Sequence, residues 1–363
     1  MTEIISIGTA VPPHSFQQRD VIPMMQKIYG LDATEARRLA FMYRQSDIET
    51  RYSVLADYTQ PDNETHWNFV TASQDTPLPN LDDRMKIYNR EAMPLSVQAI
   101  NDCIKDIIAP KEITHLITVS CTGMSAPGLD LQIAEAMDMQ PQVFRTSVNF
   151  MGCYGAVHAL KLAKLICDST PNSNVVIVAT EFCSIHFQKE YTPDSASSTI
   201  LFADGSAAVL ISNFISTEKK IELRNFYSKV AYRGKKDMAW ELSHKGFIIT
   251  LSSYIPDLIE QDIAALVDEA NKHYRLETKD ITHWCIHPGG KKILSAIKKQ
   301  LQLTDEDMRF SKNILSNYGN MSSPTVLFVL KEILESLDDK PANIFGTAFG
   351  PGLTMETFLC TRK

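Results

Sequence analysis

The chain is predicted to have an α/β fold, because short apolar segments typical of strands alternate with longer helix-like runs. Its 363 residues, of which 44% are hydrophobic and 22% charged, are enough to bury one large core or two fused ones. Two halves are therefore predicted, with a boundary near residues 213–220. The predicted strands are residues 115–121, 174–180, 206–212, 282–287, 344–348 and 357–360.

Composition and charge exclude several classes of protein. The formal net charge is −7 and no block of basic residues is present, so nucleic-acid binding is not expected. No run of about 18 apolar residues occurs, and the first eight residues lack a basic leader, so we expect a cytoplasmic protein without a membrane span. Seven cysteines at irregular spacing do not form a disulfide framework, and no Cys-x-x-Cys or His-Glu-x-x-His pattern predicts a metal site.

One cysteine lies in a turn of small residues directly before a helix-like run. Cys153 stands in the segment 148–156, Val-Asn-Phe-Met-Gly-Cys-Tyr-Gly-Ala, and apolar residues at helical spacing follow it to position 165. The N-terminus of a helix carries partial positive charge, which favours thiolate over thiol and predicts a nucleophile. A buried structural thiol is the alternative, and it is the role expected from composition for the other six cysteines, Cys103, Cys121, Cys167, Cys183, Cys285 and Cys360.

Two later motifs supply the partners that a cysteine nucleophile needs. Residues 282–290, Thr-His-Trp-Cys-Ile-His-Pro-Gly-Gly, form a strand-like segment that delivers His287 to its end. Residues 317–324, Asn-Tyr-Gly-Asn-Met-Ser-Ser-Pro, place Asn320 in a tight turn before the next helix. A base or cation and an amide donor activate a thiol and stabilise developing negative charge. Alone, His287 is as well explained as an interior histidine, and Asn320 as a turn residue. Together with Cys153 they predict a catalytic triad.

Four motifs resemble the signatures of the chalcone/stilbene synthase family, the type III polyketide synthases. They are Met-Gly-Cys at 151–153, His-Pro-Gly-Gly at 287–290, Tyr-Gly-Asn-Met-Ser-Ser at 318–323 and Phe-Gly-Pro-Gly-Leu-Thr at 349–354. They occur in family order, and the resemblance extends from Ile7 nearly to the end of the chain. It implies a bacterial-type member with a thiolase-like fold, in which two related αβαβα halves form a layered α-β-α-β-α arrangement. The halves would be residues 1–215, with Cys153, and 216–363, with His287 and Asn320.

The same resemblance implies a homodimeric acyltransferase that uses coenzyme A (CoA) thioesters as substrates and needs no cofactor. An acyl-CoA starter would load Cys153. Malonyl-CoA would extend it by decarboxylative Claisen condensation, followed by cyclisation to a pyrone or phenolic product. His287 would pair with the thiolate, and His287 and Asn320 would donate hydrogen bonds to the thioester oxygen as the enolate forms.

Two alternatives to this function stay open. One is a ketoacyl synthase III-like enzyme that performs a single condensation, usually on a carrier protein. The other is a noncatalytic thiolase-fold dimer that serves as a binding subunit. The Pro-Gly-Gly and Met-Ser-Ser contexts argue against the first and the intact triad argues against the second, so no carrier protein is expected as a partner.

Further residues match the gate and cavity positions of the family, and several depart from its usual residue types. Phe202 matches a gate phenylalanine, but Ile249 occupies the second gate position, so the aromatic pair is incomplete. Ala126 stands where plant members have a methionine that reaches into the cavity of the partner subunit. Trp240 stands where they have a glycine, which predicts a reshaped, smaller cavity. The remaining cavity residues are Cys121, Cys183, His186 and Ser322, with His186 either a hydrogen-bonded wall residue or an extra acid–base group.

The residues that would recognise CoA are marked less clearly. The basic cluster of plant members is only partly present, and the candidates are Arg38, Arg44, Arg51, Gly289, Lys291 and Lys292. A second segment, formed by Phe349, Gly350, Pro351 and Gly352, resembles the loop that shapes the cyclisation pocket of the family. Residues 56–83 are polar and contain three prolines, which predicts an exposed loop placed to cover the CoA entrance.

Overall fold

The computed structural model describes residues 1–73, 75–218 and 221–363. In this part of the chain the strands are β1 (Glu3–Ala10), β2 (His14–Gln17), β3 (Thr50–Ser53), β4 (His115–Ser120), β5 (Phe144–Asn149), β6 (Asn174–Phe182), β7 (Asp204–Ser212), β8 (Ile221–Val230), β9 (Met238–Ser243), β10 (Gly246–Leu251), β11 (His283–Ile286), β12 (Ala342–Gly350) and β13 (Thr354–Arg362). The helices are α1 (Ile22–Tyr29), α2 (Ala33–Arg44), α3 (Leu81–Ile104), α4 (Leu129–Ala136), α5 (Gly155–Ser169), α6 (Pro193–Leu201), α7 (Ile255–Tyr274), α8 (Lys291–Gln300), α9 (Arg309–Tyr318) and α10 (Thr325–Ser336).

Nine of these strands form one sheet whose two sides repeat the same pattern of strand directions. The order is β11-β12-β13-β8-β1-β7-β6-β4-β5. Moving outward on one side, β1 pairs antiparallel with β7, β7 antiparallel with β6, and β6 parallel with β4. On the other side β8 pairs antiparallel with β13, β13 antiparallel with β12, and β12 parallel with β11. The two sides join where β1 meets β8 in a short antiparallel ladder at Ile4 and Ile221.

Two buried helices, α5 and α10, lie where the two sides of the sheet share a core. Their apolar residues belong to one hydrophobic cluster with residues of β1, β6, β7, β12 and β13. Every residue of α10 from Thr325 to Leu330 is buried, as is usual for a helix enclosed in a large core. Helix α5 begins directly after a 3₁₀ turn at Gly152–Tyr154, and α10 begins directly after Pro324. The N-terminal ends of these two central helices therefore position the segments that carry Cys153 and Asn320.

A separate two-stranded hairpin, formed by β9 and β10, lies beside α6. Trp240 of β9 and Ile249 of β10 are directly opposite each other in its ladder. Because such cross-strand partners have Cβ atoms about 5 Å apart, they act as one unit of surface. Both side chains line the cavities described below.

All six strands predicted from the sequence are confirmed as β4, β6, β7, β11, β12 and β13. Further strands were not predicted, among them β8, whose sequence Ile-Glu-Leu-Arg-Asn-Phe-Tyr-Ser-Lys-Val mixes apolar and charged residues. The predicted boundary between the halves, residues 215 and 216, falls in the connection from β7 to β8. None of the described helices has both the length and the apolar composition that a membrane span requires.

The prediction of an exposed loop at residues 56–83 is wrong in part. The described residues of this segment contain 3₁₀ turns at Ala56–Thr59 and Glu64–His66, and α3 already begins at Leu81. Tyr58, Phe69 and Val70 are buried, and the carboxylate of Asp57 accepts the backbone N–H groups of Phe69 at 2.8 Å and Val70 at 3.0 Å. The sequence pattern misses this because the buried apolar residues have no period. Gln74, within this segment, lies outside the described residues.

Candidate active site

Cys153 lies in the turn between β5 and α5, and the backbone there is tightly constrained. Gly152 has φ of 74°, and a Cβ at that position would lie 2.3 Å from the ring Cδ of Pro351. Glycine is therefore required beside the nucleophile, both for the left-handed backbone and for the close approach of the loop after β12. The Cys153 side chain is half-buried, and its Sγ lies 3.6 Å from Oγ of Ser322.

His287 follows β11 and has a buried imidazole with free hydrogen-bonding capacity. Its backbone N–H donates to the carbonyl of Thr347 at 2.9 Å, which fixes the residue at the edge of the sheet. The residue is only 1% exposed, yet neither ring nitrogen has a hydrogen-bond partner among the described residues. Buried polar groups are usually satisfied, so an orphaned ring that faces the same chamber as Cys153 indicates a site for a reacting group.

The amide of Asn320 has a defined orientation. Its Oδ1 accepts the backbone N–H of Ser322 at 2.8 Å and lies 3.4 Å from the hydroxyl of Thr325. The NH₂ group is consequently left as the donor, and its contact with the carbonyl of Gly289 is long, at 3.5 Å. Asn320 thus presents hydrogen-bond donors to the chamber, as an oxyanion site requires.

Burial opposes charge on the side chains of both Cys153 and His287. Desolvation raises the pKa of the Cys153 thiol to about 11, and the carboxylate of Glu181 acts in the same direction. Desolvation lowers the pKa of His287 to about 3. The helix N-terminus beside Cys153 favours the thiolate by about 0.3–1 kcal/mol, and burial opposes it. The sequence-based expectation of a thiolate at Cys153 therefore stays a prediction.

The catalytic chamber is small and adjoins a much larger cavity. The chamber, which contains Cys153, His287 and Asn320, has a volume of about 50 Å³. The neighbouring cavity has a volume of about 580 Å³ and is bordered by residues of the 56–83 segment, α6 and β10. Four residues line both spaces and so form the wall between them: Cys183, Phe202, Trp240 and Ile249. Phe202 and Ile249, the two gate positions, thus lie at the boundary.

Hydrogen bonds fix the side chain of Trp240, which is part of this wall, and that of His186, which lies behind it. The indole N–H of Trp240 donates to the carbonyl of Cys121 at 2.7 Å. Nδ1 of His186 accepts the backbone N–H of Phe247 at 3.0 Å, so Nε2 carries the proton and donates to the carbonyl of Thr122 at 2.7 Å. Both nitrogens of His186 are used, and burial lowers its pKa to about 3. This geometry favours the wall role over the acid–base role for His186.

The other predicted cavity residues fall into two groups. Cys121, Cys183 and Ser322 are buried around the chamber, and Sγ of Cys121 accepts the backbone N–H of Gly152 at 3.0 Å. Burial raises the pKa of the Cys121 and Cys183 thiols well above the ordinary value. Ala126 lies on the surface of the single chain, outside the chamber.

The predicted cyclisation loop also borders the chamber. Phe349 and Pro351 line it, and Gly350 at the end of β12 approaches the ring of Tyr154 so closely that a Cβ there would lie 2.5 Å from the ring. Gly352 has φ of 122°, a conformation that disfavours other residues.

The candidates for CoA recognition are not brought together as one cluster. Arg38, Arg44 and Lys292 are exposed, Lys291 pairs with Asp47 at 2.8 Å, and Gly289 lines the chamber. Arg51 differs from the other candidates because it is buried. It is 4% exposed, and its Nη1 donates to the carbonyls of Thr199 and Phe202, both at 2.7 Å. Through Nη1 the guanidinium holds the backbone of the gate residue, while its Nε has no partner among the described residues and the side chain lines the larger cavity. The assignment of Arg51 to CoA recognition stays a prediction.

Sequence reasoning missed Glu181, a fully buried carboxylate close to the triad. It is the only acidic residue in β6, whose sequence Asn-Val-Val-Ile-Val-Ala-Thr-Glu-Phe is otherwise apolar or neutral. A lone charge in a buried strand is the signal that marks it. The described residues contain no group of three or more His, Cys, Asp or Glu side chains placed to hold a metal ion.

Comparison with known proteins shows the family of the chain. The chain matches the model of the chalcone and stilbene synthases, its residues 1–213 with the N-terminal domain and 223–362 with the C-terminal domain. It is 28% identical to type III polyketide synthase C of Arabidopsis thaliana over 370 residues, 98% of this chain and 94% of that protein. It is 27% identical to a putative chalcone synthase of Bacillus subtilis over 374 residues, 99% of this chain and 98% of that protein.

A third relative is much longer than this chain. Probable polyketide synthase 1 of Dictyostelium discoideum is 28% identical over 366 residues, which are 97% of this chain but 11% of that protein.

Solved structures give the same result for the fold. The C-terminal type III polyketide synthase domain of Steely1, a type I/III hybrid from Dictyostelium, superposes with a TM-score of 0.90 at 27% identity, covering 99% of both chains. PKS-I from the brown alga Ectocarpus siliculosus also superposes with a TM-score of 0.90, at 24% identity, covering 100% of this chain and 98% of that one. The predicted thiolase-like α/β fold is therefore confirmed, and the chain belongs to the chalcone and stilbene synthase family, the type III polyketide synthases.

Proposed function

We propose that this chain loads an acyl group from CoA onto Cys153 and extends it with malonyl-CoA, with His287 and Asn320 as the other catalytic residues. The observation that carries this assignment is the buried imidazole of His287. Both of its nitrogens lack partners among the described residues, and it shares a chamber with the Cys153 thiol and the donor side of the Asn320 amide.

The loading step follows from the neutral thiol and imidazole. His287 accepts the thiol proton as Sγ of Cys153 attacks the thioester carbon of the starter, and the carbon–sulfur bond to CoA breaks. The departing CoA sulfur takes the proton from His287, so that the imidazole is neutral again. The product is an acyl thioester on Cys153.

The extension step uses the donors of the chamber. Malonyl-CoA loses carbon dioxide, and the electron pair of the broken bond becomes an enolate whose oxygen accepts hydrogen bonds from Asn320 and His287. The enolate carbon attacks the acyl carbon on Cys153, the bond between that carbon and Sγ breaks, and the thiolate that leaves takes a proton from solvent. These steps use only side chains and CoA thioesters, so no cofactor and no carrier protein is proposed. Cyclisation of the extended chain completes the reaction.

We further propose that two copies of the chain associate through β5. This strand lies at one end of the nine-stranded sheet, so one of its edges has no partner within the described residues. Phe144 in β5 is 60% exposed, and Met124 and Leu131, of the neighbouring segment and helix α4, are 44% and 40% exposed. An open edge with exposed apolar side chains is a favourable surface for self-pairing. Ala126 lies in the same exposed segment, which supports its predicted place near a partner subunit.

The proposed activity is tested with purified protein, a panel of acyl-CoA starters and labelled malonyl-CoA. Products extended by two or more malonyl-derived units are expected without a carrier protein, as measured by mass spectrometry. The variant Cys153→Ala should keep its fold but gain no acyl mass. A single condensation that requires a carrier protein would instead assign the ketoacyl synthase activity. No transfer from any starter would favour a binding subunit.

Asn320→Ala should separate the two steps, because the amide acts on the enolate and not on loading. Acylation of Cys153 should persist, whereas decarboxylation of malonyl-CoA should slow by about 10²–10³-fold, the usual effect of losing one oxyanion donor. Release of carbon dioxide and the intact mass of the protein measure the two steps. Asn317→Ala, an exposed asparagine on α9, is the matched control. Equal loss of loading and decarboxylation would show that Asn320 is mainly structural.

Phe144→Lys should shift the chain from dimer to monomer, since it places a charge on the proposed shared edge. Sedimentation velocity measures the change. Phe41→Lys is the control, because Phe41 is a similarly exposed apolar residue, at 64%, on α2. A wild-type chain that is monomeric at micromolar concentration would rule out the proposed dimer.

Trp240→Ala should lengthen the products or broaden the range of starters. The chamber of about 50 Å³ is too small for an extended chain, and the indole forms part of the wall toward the cavity of about 580 Å³. Removing it joins the two spaces without touching Cys153, so acylation should persist. Product masses and the melting temperature are measured together. If Trp240 only fills the core, truncation costs up to about 3–5 kcal/mol and a folded variant yields unchanged products.

A further inference from the structure

The β9–β10 hairpin carries two of the four residues that separate the chamber from the larger cavity, Trp240 and Ile249. It is not part of the nine-stranded sheet, and among the described strands its two strands pair only with each other. The inter-strand hydrogen bonds of the sheet therefore do not fix its position. That position depends on contacts made by the turn and the side chains of the hairpin, so the residues that make these contacts also position the wall.

The turn of the hairpin, residues 244–247, is docked on neighbouring elements by its backbone. The carbonyl of His244 accepts the N–H of Leu81, the first residue of α3, at 2.9 Å. The carbonyl of Lys245 accepts Nε2 of Gln188, which lies between β6 and α6, at 3.2 Å. Two separate elements thus hold the first half of the turn.

The second half of the turn meets the same two elements. The N–H of Phe247 donates to Nδ1 of His186 at 3.0 Å, and the two rings stack with their centroids 4.3 Å apart. Gly246 has φ of 112° and lies against Arg84 of α3, where a Cβ would be 2.9 Å from Cδ of the arginine. Four consecutive residues of the turn therefore contact either α3 or the segment between β6 and α6.

Arg84, in the first turn of α3, joins the docked turn to two further walls of the larger cavity. The residue is only 1% exposed. Its Nε donates to the carbonyl of Pro79 at 2.8 Å, and its Nη1 donates to the carbonyl of Phe187 at 3.0 Å and to that of Ile185. Because the guanidinium is a rigid fork, one side chain fixes the end of the 56–83 segment, the segment after β6 and the surface on which the turn lies.

We propose that Arg84 is a positioning residue that latches the β9–β10 hairpin to α3 and so determines which acyl starters can pass the wall. The inference rests on the proposed function, because it concerns the starter that loads Cys153. Arg84 lines the larger cavity but not the chamber, so it acts through the hairpin and does not touch the reacting atoms.

The two volumes give the direction of the effect. While the latch holds the hairpin, the chamber of about 50 Å³ favours short acyl groups. Loosening the hairpin moves Trp240 and Ile249 together, since they are paired in one ladder. The boundary then opens, and a longer acyl chain on Cys153 gains access to the cavity of about 580 Å³.

Two variants weaken the latch and a third serves as the control. Arg84→Lys keeps the positive charge but lacks the rigid fork that reaches carbonyls on both sides. Gln188→Ala removes the hydrogen bond to Lys245 and, because Gln188 is only half-buried, tests the same latch if Arg84→Lys does not fold. Arg362→Lys is the matched control, since the Arg362 side chain is 10% exposed and also donates to a backbone carbonyl, that of Asp338.

Hydrogen–deuterium exchange, read by mass spectrometry, measures the latch without turnover. In Arg84→Lys the peptides that cover residues 79–83 and 244–251 should exchange about tenfold faster, the factor carried by one hydrogen bond to a charged group. Peptides from the nine-stranded sheet should exchange at the wild-type rate. Arg362→Lys should leave the peptides of the hairpin unchanged.

The rates at which acetyl-CoA and octanoyl-CoA acylate Cys153 measure the consequence for the starter. The ratio of octanoyl to acetyl loading should rise about tenfold in Arg84→Lys, at the lower end of the discrimination that a pocket achieves by size. Gln188→Ala should shift the ratio in the same direction, and Arg362→Lys should keep the wild-type ratio.

A folded Arg84→Lys protein with wild-type exchange in residues 244–251, or with faster exchange there but an unchanged loading ratio, would overturn the proposal. An increase in exchange spread uniformly over the chain would also overturn it, because Arg84 would then only stabilise the fold. Failure of the proposed function is distinguishable, since the wild-type protein would acquire no acyl mass from any starter while the exchange measurements would remain valid.

Discussion

Exclusion of water from the junction between the two sides of the sheet is the constraint on which the site depends. It opposes charge on the Cys153 thiol and the His287 imidazole, since a buried ion pair would carry a desolvation cost on both members. A low local dielectric also strengthens any hydrogen bond that Asn320 and His287 donate into the chamber. In the reaction that we propose, the site therefore stabilises negative charge where it develops, on the thioester oxygen.

Only a few of the described residues separate the chamber from the larger cavity. Two opposed positions of one hairpin, Trp240 and Ile249, supply half of the four shared lining residues. A tryptophan there fills volume that a glycine would leave open, and the isoleucine replaces an aromatic gate with a smaller side chain. Relative to the family residues expected at these two positions, Trp240 decreases the free volume at the boundary and Ile249 increases it. The chamber size is consequently a property of the hairpin, while the triad is held by the central helices and strands.

Sequence reasoning predicted the fold correctly. It also named three proposed catalytic residues that line one chamber, because glycine-rich turns and a strand end mark them locally. It failed where long-range burial decides the outcome. The helix N-terminus beside Cys153 is visible in the sequence, but the desolvation that opposes it is not. In the sequence Arg51 looks like a surface cation, but in the fold it is buried and its Nη1 donates to two backbone carbonyls. Phe69 and Val70 are held by hydrogen bonds from their backbone N–H groups to Asp57, which lies twelve and thirteen residues earlier. No periodic pattern in the sequence predicts these contacts.

The gate and the amide donor are joined through the backbone, so they are not independent parts. The N–H of Asn320 donates to the carbonyl of Leu201, and the N–H of Ala203 donates to the carbonyl of Asn320, both at 2.9 Å. Phe202, between them, has its own carbonyl held by Arg51. A displacement of the backbone at Phe202 would therefore also displace Asn320, whose amide is the proposed oxyanion donor. Rotation of the Phe202 and Ile249 side chains would change the boundary between the two spaces without moving this main chain, and so would leave the position of Asn320 unchanged.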